Sequence, residues 1–149
     1  MGSDLLWKEF PKNDKGETPC GRYGHFLSIF ERKLILFGGK DKNEISLNDL
    51  WIFDMDKLIW TQINYSNISS NVPKPKFLVS GCLIERNGII LLFGGKNSED
   101  NYIYLLNLNI LMDIFKMIND KKYSNDDELI AKLKKLWSIK IDTSKFFFD

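Results

Sequence analysis

The tetrapeptide Phe-Gly-Gly-Lys occurs twice in this chain, at 37–40 and at 93–96, a spacing of 56 residues. Each copy sits in the same longer frame: "ERKLILFGGKDKNEISLNDLWIFDMD" over 31–56 faces "ERNGIILLFGGKNSEDNYIYLLNLN" over 85–109. Self-similarity at a period near 50 residues restricts the fold to small units stacked on one another, because one such unit cannot bury its apolar face alone.

The match continues on both sides. Upstream, Pro19 faces Pro73, Arg22 faces Lys76, Tyr23 faces Phe77 and Phe30 faces Ile84; downstream, Trp51 faces Tyr104. Tryptophans mark a final segment in each unit, Trp60 and Trp137, and Trp7 opens a third such segment that stands alone at the front. The first unit holds four apolar runs of strand length, 26–30, 34–37, 50–53 and 59–63, separated by turn-forming residues. That pattern predicts a four-stranded antiparallel sheet. Its second strand ends in Gly38-Gly39, and its counterpart in Gly94-Gly95, where the chain must turn sharply and come close to neighbouring backbone. All four prolines, Pro11, Pro19, Pro73 and Pro75, fall in connections, where no ladder hydrogen bond is lost.

The second unit spends about 24 extra residues, 110–133, between its third and fourth strands. Ile110, Leu111, Ile114, Phe115 and Ile118 recur at helical spacing. After a short link comes a second helix with Asn125 as N-cap, Asp126, Asp127 and Glu128 in the first turn, and Lys132, Lys134 and Lys135 toward its end. The insertion reads as a helical hairpin whose apolar stripe packs on the side of its own sheet; docking of a partner is the alternative reading. Strand alternation puts it at the opposite end of the sheets from 40–47 and 96–100.

Charge and composition exclude several function classes. Twenty-one basic and twenty acidic residues leave a net charge of +1, which offers no footprint for nucleic acid. The start "MGSDLLWKEF" has no basic leader, and no window holds the ~18 apolar residues that a membrane span needs. A cytoplasmic protein with no membrane or nucleic-acid partner is expected. The only cysteines are Cys20 and Cys82, which fits reduced thiols, with Cys82 buried in its apolar run. One histidine, His25, cannot with two distant cysteines form an ordinary zinc site, so no metal and no cofactor is expected, and His25 reads as a structural residue hydrogen-bonded within its sheet. No nucleophile elbow or phosphate loop occurs. The sequons at Asn64 and Asn67 read as loop composition in an Asn-rich chain. Eighteen Lys against three Arg, with thirteen Asn, seventeen Ile and one Ala, is a bias that an AT-rich coding genome, as in many protist parasites, would produce, and such a source is the expectation.

With its double glycine, the aromatic on strand three, the tryptophan on strand four, and the phrase "GRYGHFLSIFERKLILFGG", the chain resembles the kelch-repeat family over about residues 4–142. The second copy departs from the family pattern, with Lys76 for the Arg and Leu78-Val79 for Gly24-His25. The resemblance implies an all-β fold: a partial β-propeller with two four-stranded antiparallel blades, at 20–64 and 73–142, a stray N-terminal strand at 4–10, and the α-helical hairpin insertion. Propellers close with about 4 to 8 blades. Two blades therefore mean an incomplete ring: a fragment, a partial gene product, or a chain that associates with itself through open blade edges.

The resemblance also implies a non-catalytic protein–protein interaction module, a scaffold or adaptor whose partner is another protein. Recognition in the family falls on the loops between strands two and three and between strand four and the next blade. Mapped here, these loops select Arg22, Lys40, Asn43, Lys76, Lys96 and Asn97. The alternative is an accessory domain of a larger enzyme, such as a phosphatase or a ubiquitin-ligase adaptor, with catalysis outside this chain.

Overall fold

The computed structural model describes residues 16–65, 68, 71–97, 102–121 and 126–142, with side chains up to Ser138. The strand expected at 4–10 lies outside them, as do Pro11, the Asn67 sequon and the Asn125 cap.

The first blade contains β1 (Arg22–Tyr23), β2 (Phe26–Phe30), β3 (Lys33–Asp41), β4 (Ser46–Asp54) and β5 (Ile59–Ile63). β1 and β2 pair with opposite ends of the same strand, Arg22 with Asp41 and Phe26 with Phe37, so they are one strand interrupted at Gly24 and His25. The four strand positions run in sequence order, every pairing antiparallel. β3 outruns its apolar run because the ladder resumes at Gly39 after a bulge past Phe37. The second blade repeats the order with β6 (Ser80–Ile84), β7 (Ile89–Phe93), β8 (Tyr102–Asn107) and β9 (Trp137–Asp142).

Helices α1 (Leu108–Asp120) and α2 (Asp126–Leu136) form the hairpin between β8 and β9. They extend a little beyond 110–133, because α1 starts directly at the end of β8. There the Asn107 side chain accepts a hydrogen bond from the Ile110 amide at 3.1 Å and caps the helix. At the same repeat position in the first blade, Asp54 accepts from the amides of Asp56 (2.9 Å) and Lys57 (3.0 Å) and closes a tight turn into β5. One short acceptor thus organises either outcome, and the residues that follow decide which.

The core lies between the blades. Ile35, Phe37, Leu50 and Ile52 face Ile90, Leu92, Tyr104, Leu106 and Trp137, and the Phe37 ring meets Trp137 edge-on at 5.4 Å. Full burial of such a side chain stabilises by roughly 1.5–3 kcal/mol. The hairpin joins the same core through Leu108, Leu111, Ile114, Phe115, Leu133 and Leu136. It also reaches the first blade, where Lys33 stands over the Phe115 ring and Asn119 contacts Thr61. Its apolar stripe is consumed inside the molecule, bracing both blades rather than only its own.

Two expectations fail. Cys82 is exposed, because alternation along β6 aims Gly81 at the first blade, against Phe26, and turns its neighbour to the outer face. His25 is also exposed, and its side chain makes no hydrogen bond among the described residues. It sits where the first strand is interrupted, its Cβ packed close to Gly39 of β3. Burial and the nearby Arg22 charge lower its pKa from the usual histidine value.

Candidate protein-binding face

The loops at the β3–β4 end of the two blades form one surface, built outward from Arg22. Its guanidinium donates to both carboxylate oxygens of Asp49, at 2.5 and 2.9 Å, and to the carbonyl of Gly38 at 3.1 Å. Asp49 accepts in addition from the Trp51 indole at 2.7 Å. The Arg22 side chain is only 4% exposed. Burial acts to lower its pKa, but the Asp49 carboxylate outweighs this and the net direction is up. The forked pair holds the entering strand to β4, as planar bidentate geometry favours.

Lys76, the repeat counterpart of Arg22, is 2% exposed. Its ammonium stands 5.0 Å from the centre of the Tyr104 ring, the counterpart of Trp51. Its backbone bridges the blades: its carbonyl accepts from Gly39 and its amide donates to Leu47, both at 3.0 Å. Asn48 adds a bond to the Pro73 carbonyl, and Tyr65 donates its hydroxyl to the Asn48 carbonyl. Burial, with the Asp49 charge second, drives the Tyr65 pKa well above the usual tyrosine value.

Lys40 is largely covered. Its ammonium pairs with Glu44 at 2.6 Å and stands 4.6 Å from the centre of the Phe77 ring on the second blade. Tyr23 donates to the same carboxylate at 3.0 Å. The hydrogen bond from Lys40, then that from Tyr23, lowers the Glu44 pKa. Asp41 shapes the loop tip by accepting from the amides of Asn43 and Ile45, both at 2.9 Å. Asn43 is exposed, and so are Lys96 and Asn97 on the second blade, where Lys96 pairs with the Phe77 backbone.

The six residues selected from the sequence therefore share one end of the molecule but divide by burial. Arg22, Lys40 and Asn43 line one cleft of about 610 Å³ together with Cys20, Gly21, Tyr23, Asp41 and Lys42. Lys76 is interior, and Lys96 and Asn97 lie outside the cleft on the neighbouring loop. The side chains of Arg22 and Lys76 are covered rather than presented to solvent. Sequence reading missed Asp49, Glu44 and Tyr23. A signal for Asp49 existed in the repeat itself: where Lys76 replaces Arg22, Tyr102 replaces Asp49, so both members of the pair change together. Among the described residues, no three His, Cys, Asp or Glu side chains gather in a metal-binding group, and no helix is long and apolar enough to cross a membrane.

Known proteins resemble this chain in sequence. The family model described as "KLHDC2/KLHL20/DRC7 Kelch-repeats domain" matches residues 3–111. An F-box/kelch-repeat protein of Arabidopsis thaliana is 33% identical over 92 residues, 60% of this chain and 18% of that protein. Kelch domain-containing protein 1 of Mus musculus is 35% identical over 91 residues, 60% of this chain and 21% of that protein. Dynein regulatory complex subunit 7 of Chlamydomonas reinhardtii is 32% identical over 107 residues, 66% of this chain and 9% of that protein. The chain thus spans about a fifth or less of the length of these relatives. Domains of this kind generally mediate protein–protein interaction. With more than half of its length matched by that model and its two antiparallel blades stacked in repeat register, the chain belongs to the kelch-repeat family.

Proposed function

We propose that this chain is the docking segment of a scaffold or adaptor, and that the loop end of its blades holds another protein. The observation that carries the reading is the cleft of about 610 Å³ between the entering strand and the β3–β4 loop. Its charges are already balanced within the chain, since Arg22 is held by Asp49 and Lys40 by Glu44. What it offers outward is the Tyr23 ring, Lys42 and the Asn43 amide, with Lys96 and Asn97 on the adjoining loop. That mixture suits an extended protein segment, whose backbone takes the amide and whose side chains rest on the aromatic ring.

Affinity capture with the full chain tests this. Replacing Asn43 and Asn97 by Ala, and Lys42 and Lys96 by Glu, is expected to abolish capture of the protein bound by the unmodified chain. Replacing Lys134 and Lys135 on the hairpin by Glu is expected to leave capture intact. The reverse pattern would move the contact to the hairpin and sink the assignment.

A second reading has its own support. Because the chain spans only 9–21% of the relatives described, one of which carries an F-box in its name, this segment can serve as the recognition part of a larger machine whose chemistry lies elsewhere. A catalytic domain in the same reading frame would favour it; further kelch repeats alone would favour the scaffold.

A further inference from the structure

One carboxylate of the chain already occupies the wall of the cleft. Glu44 takes the Lys40 ammonium at 2.6 Å and the Tyr23 hydroxyl at 3.0 Å, and Lys40 and Tyr23 both line the cleft. Other groups close the loop that carries Glu44. The Asp41 side chain accepts from the Asn43 and Ile45 amides, and the Asp41 backbone bonds the Glu44 amide and the Ile45 carbonyl. The backbone at Glu44 is itself unfavourable, since its φ of 63° lies in the left-handed region that glycine or asparagine takes more readily. A glutamate kept there against its backbone preference, beside a cleft, points to a use for its side chain.

The two sides of this contact are held differently. Lys40 is 19% exposed; its ammonium stands over the Phe77 ring at 4.6 Å, and the Tyr23 ring meets Phe77 edge-on at 6.1 Å. Two donors from the first blade are thus steadied by the second, and they stay in place when the carboxylate leaves. Glu44 is 65% exposed, and its carboxylate has no partner besides these two among the described residues. It can swing into solvent without disturbing the core. The remaining charges around the seat favour acid. Asp49 neutralises Arg22, the loop amides take up Asp41, and Lys42 is exposed with no ion pair among the described residues.

We propose that Glu44 is a built-in competitor. It sits in a carboxylate seat made by Lys40 and Tyr23, and the protein segment that docks in the cleft takes this seat with an Asp or Glu side chain of its own. On the docking reading above, on which this rests, the partner is thereby narrowed to an acidic extended segment. Exchanging one carboxylate for another keeps Lys40 paired throughout, so the swap leaves no covered cation alone. Affinity is set by how often Glu44 vacates the seat, because a site that is open only part of the time binds more weakly in proportion.

A phage-displayed library of random heptapeptides, selected on full chain carrying Glu44→Gln, supplies the probe. The selected peptides are then made with a fluorescent label and titrated by anisotropy. They are expected to share one Asp or Glu, whose change to Asn or Gln weakens binding about tenfold. The unmodified chain is expected to bind them about 5- to 20-fold more weakly than Glu44→Gln does. Glu44→Gly, which also relieves the backbone, should match Glu44→Gln, and Lys40→Gln should lose the preference for acid. Peptides bound at this face without an acidic residue, or equally well with and without Glu44, overturn the proposal and leave the docking face standing. If no selected peptide is weakened by Asn43→Ala with Lys42→Glu, or none is selected at all, the docking reading falls and this one with it.

Discussion

The two blades solve the same packing problem with different chemistry. In the first, the strand that enters the blade is fixed by the forked Arg22–Asp49 pair, with the Trp51 indole on the same carboxylate. In the second, Lys76 replaces the arginine, Tyr104 replaces the tryptophan, and the cation lies over the ring. The repeat thus keeps a buried cation beside an aromatic and lets the partner of the cation vary. A guanidinium fork suits a carboxylate, whereas an ammonium is a point charge that a π-face can take. The turn positions teach the same lesson, Asp54 closing a tight turn and Asn107 capping a helix.

The largest expected effect separates these two devices. Asp49→Ala strands a buried guanidinium and an indole donor, and should cost about 3–5 kcal/mol in denaturant unfolding. Lys76→Met keeps the volume and removes the charge from over the Tyr104 ring, and should cost less, about 2 kcal/mol. Equal losses would show that the two blades are fastened alike.

Next comes the joint. Gly38→Ala and Gly94→Ala both place a side chain in the left-handed region, at about 1–2 kcal/mol. Only the first also drives a Cβ into the Lys76 carbonyl. Gly38→Ala should therefore be worse by about 1–3 kcal/mol. A smaller gap would mean that the blades are more loosely apposed than their backbone bonds indicate.

A smaller, pH-dependent effect distinguishes Asp54 from Asn107. Burial works to raise the Asp54 pKa, but the Lys57 and Asp56 amides and the Lys33 ammonium outweigh it, and the net direction is down. A carboxylate depressed in the folded state contributes stability above its unfolded pKa and loses it as pH falls through the folded value. Asp54→Asn should keep the two amide bonds, as Asn107 keeps its cap, and cost about 1 kcal/mol at neutral pH. That cost should shrink as pH drops below about 4. A cost that is unchanged at low pH would show that the charge is irrelevant to the turn.

The smallest effect concerns the turn between β2 and β3. Glu31 sits there at φ 45°, where asparagine is better tolerated. Glu31→Asn should gain about 0.5 kcal/mol. The second blade spans the same connection with a four-residue turn ending in Gly88, so it offers no equivalent gain.

Much of this architecture was legible because the chain repeats. Apolar runs in register located the strands and helical spacing from Ile110 onward found the hairpin, whereas Gly38-Gly39, expected to end its strand, is a bulge past which β3 runs on to Asp41. What stayed hidden was which face of each strand is covered. Both faces of β3 and β7 are apolar, so period-two alternation carries no sign, and Cys82 could be placed inside or outside with equal ease. Arg22 and Lys76 looked like loop cations because their burial depends on groups distant in sequence, Asp49 for one and the Tyr104 ring for the other. His25 looked anchored, yet the strand breaks where it stands. At the loop face, sequence reading chose six residues that lie at one end of the molecule but could not tell the covered side chains of Arg22 and Lys76 from the exposed Asn43, Lys96 and Asn97.

Amide hydrogen exchange at Gly39 and Gly95 tests the central claim, that the blades are equivalent units stacked through one face each. The Gly39 amide donates to Lys76 across the joint. Gly95 is its repeat counterpart at φ 95° and donates no such bond among the described residues. Slow exchange at Gly39 with fast exchange at Gly95 is the predicted result. Equally fast exchange at both glycines, with β3 and β7 still protected, would contradict it by showing two sheets that fold without being joined.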